Sequence, residues 1–211
     1  MQTDDLIADL AARPWPATRP AARMAFALAT AWAIALAGMA ILLGSPLGAI
    51  AETGVTPFAL KLGYTVALTA TAASAALAAG RPGQRLWARA AMIAAPVLLI
   101  MLAAALELNA TPQAQWKALL FGTSFGTCVI AISLASVPVF VAMIWAFRAL
   151  APTSPRIAGF LAGLSAGAAG ALAYALFCPE TTASFLMASY SPGIVGPAIL
   201  GALLGRRLLS W

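Results

Sequence analysis

The feature that most limits the fold is an uncharged run of 21 residues spanning 157–177. About 20 residues of α-helix cross a hydrocarbon core of about 30 Å, so the run is long enough to span a bilayer. Gly159, Gly163 and Gly167 recur every four residues and share one helix face, where they let a neighbouring helix approach to backbone contact. Pro179 has no backbone N–H and marks the end of the run. A transmembrane helix built for close packing is therefore predicted here.

Composition extends this interpretation to the rest of the chain. The 211 residues are 63% hydrophobic and 9% charged, with a mean hydropathy of +0.94, whereas soluble domains carry about 25% charged residues. The apolar runs are continuous and lack the alternating pattern of barrel strands. The chain is therefore predicted to be an all-α integral membrane protein, a bundle of six transmembrane helices with a short cytoplasmic N-terminal amphipathic helix.

The predicted organisation has two parts, a cytoplasmic N-terminal segment (1–23) and a transmembrane domain (24–211). The spans are predicted at about 24–43, 57–79, 87–108, 120–147, 157–177 and 188–209. The start of the last span is left open between Ser184 and Pro192, because prolines interrupt it. Gly201 and Gly205 repeat the four-residue glycine spacing, which predicts that the fifth and sixth spans pack together.

The basic residues predict the orientation. If the N-terminus is cytoplasmic, 10 of the 12 lysines and arginines fall on the inner side, and only Lys61 and Lys117 fall on the outer side. Basic residues concentrate in the cytoplasmic loops of membrane proteins, so both termini are predicted to be cytoplasmic. Lys61 and Glu107 lie near helix ends, where their side chains can reach the membrane interface.

The N-terminal segment predicts a short amphipathic helix that ends before Pro14. Its acidic residues begin in the first turn, where the helix dipole favours negative charge, and its apolar residues recur at spacings of three and four. The acidic residues are Asp4, Asp5 and Asp9, and the apolar face is Leu6, Ile7 and Leu10. A helix of about ten residues is marginal alone in water. The residues alone leave open a segment that folds on binding a partner, a frayed tail, or a helix lying on the membrane.

The only two cysteines are predicted at similar depth. Cys128 lies 20 residues before Arg148 and Cys178 lies 22 residues after Arg156, distances of roughly 30 and 33 Å along antiparallel helices. This depth permits a disulfide but does not establish one, and small apolar packing is the alternative role. Without any histidine, metal binding is limited to soft ions on the two thiolates.

Other chemistry has little support in the sequence. There is no nucleophile–base pair, phosphate-binding loop or zinc-ligand spacing, so neither an enzyme nor a cofactor is predicted. Coupled transporters place ionisable groups near the membrane midplane, and no predicted span has one there.

Both ends of the chain resemble the NrsF-type membrane proteins, which are negative regulators of an extracytoplasmic-function sigma factor. The N-terminal stretch TDDLIADLA (3–11) is similar to the cytoplasmic start of that family. Near the C-terminus, the similar residues are Cys178-Pro179-Glu180, Phe185, Tyr190, Gly196-Pro197 and the stretch GALLGRRLL (201–209).

The resemblance implies an anti-sigma factor of the bacterial inner membrane. Residues Asp4, Asp5, Leu6, Ile7, Asp9 and Leu10 would bind an extracytoplasmic-function sigma factor and hold it away from RNA polymerase. Cys128 and Cys178 would sense oxidants or heavy metals from the periplasmic side and trigger release. The implied partners are the sigma factor and the lipid bilayer, with no direct contact to nucleic acid.

Two other classes of function remain open, a small channel or transporter for a neutral solute and a purely structural membrane subunit. Co-purification of a sigma factor with the detergent-solubilised protein would separate the anti-sigma interpretation from both.

Overall fold

The computed structural model of the chain describes residues 20–45, 54–80, 86–148, 150, 152 and 154–209. The predicted N-terminal helix lies outside these residues. So do the six residues expected to bind a sigma factor: Asp4, Asp5, Leu6, Ile7, Asp9 and Leu10.

Six long helices dominate the described part of the chain, and all six lie in helical segments long and apolar enough to cross a membrane. They are α1 (Pro20–Leu43), α2 (Val55–Ala79), α3 (Leu86–Ala110), α4 (Phe125–Arg148), α5 (Pro155–Ala175) and α6 (Ser191–Leu208). Each overlaps one predicted span. The prediction of an all-helical bundle with six such helices is confirmed.

The fourth predicted span is interrupted near its start. A short helix (Trp116–Phe121) ends at Gly122, whose φ of 47° lies in the left-handed region that favours glycine, and α4 begins only at Phe125. A Cβ on Gly122 would lie 2.7 Å from the Glu180 Oε1 atom and 2.8 Å from the Phe185 ring. The break therefore lets the chain turn closely around the segment that follows α5.

The last apolar segment is helical from its earliest predicted start. A short helix (Ala183–Phe185) continues through a π-helical turn (Leu186–Tyr190) into α6. The prolines of this segment therefore do not shift the start of the helix to a later residue. Its first turn is held by the Glu107 carboxylate, which accepts hydrogen bonds from the Ser184 N–H at 2.8 Å and from the Ser184 hydroxyl at 2.7 Å. A carboxylate at this position satisfies donors that a helix start leaves unpaired.

Helix α5 lies at the centre of the bundle. In the most apolar stretch of 18 residues of α5, 78% of the residues are buried. In the corresponding stretch of α3, at the periphery of the bundle, 11% are buried. Its sequence is mostly alanine and glycine, and such small residues allow helices to pack on several sides of it. It packs against α2, α4 and α6, and Trp32 of α1 donates its indole N–H to the Ala169 carbonyl at 3.1 Å.

Candidate functional site

The structure brings the two cysteines together at one end of the bundle. Cys128 lies in the first turn of α4, and Cys178 lies in the connection after α5. Their Sγ atoms are 3.9 Å apart, both residues are fully buried, and both thiols are free. A disulfide is about 2.0 Å long, so an approach of roughly 2 Å would join them. This end, with the start of α2 and the end of α3, is called the cysteine end below.

Polar side chains surround the thiols. The Cys128 sulfur lies 3.2 Å from the Tyr174 hydroxyl and 3.6 Å from the Ser124 hydroxyl, both within hydrogen-bond reach of a thiol. The Tyr190 ring is fully buried, with its centroid 6.3 Å from that of Tyr174. The pair therefore sits in a buried cluster of polar and aromatic side chains.

The Cys178 thiol is held in its protonated form. Its pKa is raised, first because of its hydrogen bond with the Cys128 sulfur and second because burial disfavours a thiolate. At rest, the two cysteines are therefore not both thiolates.

The Lys61 side chain does not use the route to the membrane interface that its place near a helix end offers. Instead it is buried, with an exposed fraction of 1%. Its ammonium group donates hydrogen bonds to the carbonyl oxygens of Cys178 and Glu180, and it lies 5.2 Å from the centroid of the Phe58 ring. These carbonyls and the aromatic face replace the water that the interface would have supplied, which makes the burial tolerable.

The connection that carries Cys178 is held from several sides. Lys61 of α2 binds its backbone, and the Glu180 Oε1 atom accepts a long hydrogen bond of 3.5 Å from the Thr123 N–H before α4. Glu107 of α3 binds Ser184 at its far end. A movement of Cys178 toward Cys128 would therefore act on α2, α3 and α4 together.

The glycines predicted to pack helices lie between α5 and α6. A Cβ on Gly159 would lie 2.1 Å from the Gly201 carbonyl oxygen, and one on Gly163 would lie 2.0 Å from the Pro197 carbonyl oxygen. A Cβ on Gly167 would meet Ile194 at 2.7 Å, and one on Gly205 would meet Pro155 at 2.4 Å. The backbones of α5 and α6 are thus in direct contact, so we expect the two helices to move as one unit.

The thiols are the strongest candidates for holding a metal ion. Within the described ranges, no group of three or more His, Cys, Asp or Glu side chains is arranged to hold one. Two thiolates suit a soft ion of low coordination number.

Sequence reasoning did not identify Tyr174 or Lys61 as part of this cluster. A signal for Tyr174 existed, because it lies four residues before Cys178, one helical turn away. Lys61 offered no local signal, because its two carbonyl acceptors come from residues 117 and 119 positions later in the chain.

The comparisons with known proteins agree on one family. Residues 8–211 match the family described as NrsF, negative regulator of sigma F. The chain is 38% identical over 216 residues to the "Probable anti-sigma-F factor NrsF" of Azospira oryzae, with both chains covered completely. It is 34% identical over 218 residues to the "Anti-sigma-F factor NrsF" of Caulobacter vibrioides, again over 100% of both chains. No solved structure matches the chain. The chain therefore belongs to the NrsF family of negative regulators of sigma F.

Proposed function

We propose that the chain holds an extracytoplasmic-function sigma factor at the cytoplasmic face of the bacterial inner membrane. Oxidation of Cys128 and Cys178, or binding of a soft metal ion by them, then releases the sigma factor. The supporting observation is a pair of buried sulfurs 3.9 Å apart in a chain that belongs to a family of sigma-factor regulators. Because the two cysteines are far apart in sequence, it is the packing of the helices that brings them together.

The proposed orientation places the cysteine end on the periplasmic side, where disulfides persist. It rests on the distribution of basic residues, 10 on the proposed inner side and 2 on the outer side. The N-terminal segment then lies in the cytoplasm, where a sigma factor is available.

Reporter fusions test this orientation. A periplasmic alkaline phosphatase fused after Glu107 or after Glu180 should be active, and a fusion at Trp211 should be inactive. A fluorescent protein at the same three positions should give the opposite pattern. Phosphatase activity at Trp211 would contradict the proposed topology.

The proposed chemical step is formation of one disulfide. A peroxide accepts two electrons and two protons from the thiols and is reduced to water, while a bond forms between the two sulfur atoms. The sulfur–sulfur distance falls from 3.9 Å to about 2.0 Å, which pulls the Cys178 connection toward α4. A soft metal ion bridging two thiolates would fix the same two residues.

Contacts between helices connect the cysteine end of the bundle to its opposite end, so a movement at one end can affect the other. Helix α5 is in backbone contact with α6, and the Leu208 carbonyl at the end of α6 accepts a hydrogen bond of 3.0 Å from the Arg148 Nε atom at the end of α4. Helix α4 also packs against α1, which follows the N-terminal segment. A shift of α5 and α6 against α4 would therefore reach α1, the helix that follows the proposed sigma-binding segment in the chain.

Serine substitutions test the proposed sensor. Cells that carry a sigma-dependent reporter should express the native chain, Cys128→Ser, Cys178→Ser or the double variant. Each strain is then treated with peroxide and, separately, with cadmium. We expect induction in the native chain and loss of at least about nine-tenths of it in all three variants, because each lacks the complete pair. Immunoblots of membranes should show equal protein abundance. Full induction of the double variant by both agents would place the sensor elsewhere and leave the cysteines as packing residues.

A further inference from the structure

The two sulfur atoms of the cysteine pair have different hydrogen-bonding surroundings. The Cys128 sulfur lies 3.2 Å from the Tyr174 hydroxyl and 3.6 Å from the Ser124 hydroxyl. The Cys178 sulfur instead lies 4.0 Å from the Glu180 carbonyl oxygen, which accepts hydrogen bonds and cannot donate them. A hydroxyl can rotate to donate to a sulfur atom or to an oxygen bound to it. Hydroxyl donors therefore gather at Cys128.

Two further polar groups lie near Cys178, but in the described part of the chain neither donates a hydrogen bond to its sulfur. The Lys61 ammonium group binds the carbonyl oxygens of Cys178 and Glu180. The Tyr190 hydroxyl interacts with the Cys178 thiol, but it has no partner in hydrogen-bond geometry. The difference between the two sulfur atoms therefore holds when the whole cluster is considered.

The backbone also differs at the two positions. Cys128 lies in the first turn of α4, where its N–H donates to the Ser124 carbonyl at 2.8 Å. Cys178 lies in the connection after α5, outside the long helices. The Cys128 sulfur is therefore held on a regular helix beside its donors. The approach of Cys178 that a disulfide requires would not have to unwind a helix.

Burial restricts the oxidant that can react with this pair. Both sulfur atoms are fully buried, and Tyr174 is 4% exposed. A charged oxidant would lose its hydration on reaching them, and a bulky one would have to open a close-packed interior. Hydrogen peroxide is small and uncharged. In a site without bulk water, a hydroxyl that donates to an oxygen on which negative charge develops stabilises the transition state more than it would in water.

We propose that Cys128 is the cysteine that reacts with hydrogen peroxide, and that Tyr174 is a catalytic residue whose hydroxyl donates a hydrogen bond to the reacting oxygen. The Cys128 sulfur attacks one peroxide oxygen, so that a sulfur–oxygen bond forms and the oxygen–oxygen bond breaks. The other oxygen leaves as water with the Cys128 thiol proton. This step gives a sulfenic acid on Cys128.

Cys178 completes the reaction. Its sulfur attacks the Cys128 sulfur, the disulfide forms, the sulfur–oxygen bond breaks, and a second water leaves with the Cys178 thiol proton. Peroxide thus gains two electrons and each sulfur loses one. The proposal rests on the oxidation of the pair proposed above and gives that oxidation an order.

Trapping of the sulfenic acid tests the order. Full-length Cys178→Ser and Cys128→Ser chains in nanodiscs, without a sigma factor, are treated with hydrogen peroxide. Catalase then removes the peroxide, and the protein is unfolded in detergent that contains dimedone, which labels sulfenic acids. By mass spectrometry we expect the label on Cys128 in the first variant, and at most about a tenth as much on Cys178 in the second. Alanine in place of each serine should give the same pattern.

Removal of one hydroxyl tests the role of Tyr174. In the Cys178→Ser chain, Tyr174→Phe should slow formation of the Cys128 sulfenic acid about tenfold or more, because a donor to the reacting oxygen is lost. Tyr64→Phe is the matched control. It removes a hydroxyl from a half-buried tyrosine of α2 that packs against the same apolar core, and it should leave the rate unchanged.

Alkylation separates chemistry from packing. Iodoacetamide is small and uncharged, and its leaving group is iodide rather than an oxygen atom. It should therefore alkylate Cys128 of the Tyr174→Phe chain at the unchanged rate. Equal slowing of alkylation and of peroxide reaction would show that Tyr174 acts only through packing, and an unchanged peroxide rate would remove it from the reaction.

The assignment of the two cysteines has its own contrary result. A sulfenic acid that forms mainly on Cys178 would reverse the proposed order, while the disulfide and the release of the sigma factor would stand. A native chain that forms neither a sulfenic acid nor a disulfide with peroxide would overturn both this order and the proposed peroxide response. Because the sigma factor is absent from these assays, a failure of sigma-factor binding cannot produce either result.

Discussion

Replacing Gly163 with alanine should destabilise the folded bundle by about 3 kcal/mol, although it adds a single methyl group. The new Cβ would lie 2.0 Å from the Pro197 carbonyl oxygen and 2.6 Å from its carbon, so the backbones of α5 and α6 would have to separate. These are backbone atoms and cannot move aside like the end of a flexible side chain. We expect a large loss of thermal stability in detergent, measured by fluorescence-detected size-exclusion chromatography after heating.

Gly196→Ala is the matched control for this effect. Gly196 lies on the same helix pair, but a Cβ there meets no atom within 4 Å. Alanine is favoured over glycine in a helix by about 1 kcal/mol, so this variant should be as stable as the native chain or more stable. Equal stability of the Gly163→Ala and Gly196→Ala variants would show that α5 and α6 are not in backbone contact.

The double variant Leu6→Ala with Leu10→Ala should abolish retention of the sigma factor. These two leucines carry most of the apolar face of the predicted N-terminal helix, and a short helix of this kind is held by the surface it binds. Burying a leucine contributes about 1.5–3 kcal/mol, so losing two should weaken binding by a factor of at least about 100. The expected result is constitutive expression of the sigma-dependent genes at normal membrane abundance of the variant.

Ala8→Ser with Ala12→Ser is the control for that variant, because both positions lie on the opposite side of the predicted helix. It should repress normally. Normal repression by the leucine variant would instead assign sigma binding to another inner segment, such as the loop around 81–89.

The sequence predicted the features of the fold that follow from the length of an apolar run and from the spacing of small residues. The run at 157–177 has enough apolar length for a span and carries the glycines that lie against α6. The equal depth of Cys128 and Cys178 followed from counting residues along two antiparallel helices, and the structure places their sulfur atoms 3.9 Å apart. Each of these inferences uses only the length of a helix and the spacing of residues along it, and both can be read from residues that are close together in the sequence.

The features that were missed depend on contacts between distant parts of the chain. Hydropathy gives no reason to break the fourth span at Gly122, because the break exists to accommodate Glu180 and Phe185. A lysine near a helix end is normally expected at the interface. Lys61 is buried instead, because the connection after α5 folds back and offers it two carbonyl oxygens.

The central claim is that a bond between Cys128 and Cys178 controls retention of the sigma factor. The most direct measurement uses the full-length protein, purified with its sigma factor under reducing conditions and placed in nanodiscs. Peroxide is added, and the bound sigma factor and the 128–178 disulfide are quantified in the same sample. We predict that the sigma factor is released in proportion to the disulfide, rebinds after reduction, and stays bound to the double serine variant. A sigma factor that stays bound to the disulfide form, or that leaves the double serine variant equally, would contradict the claim.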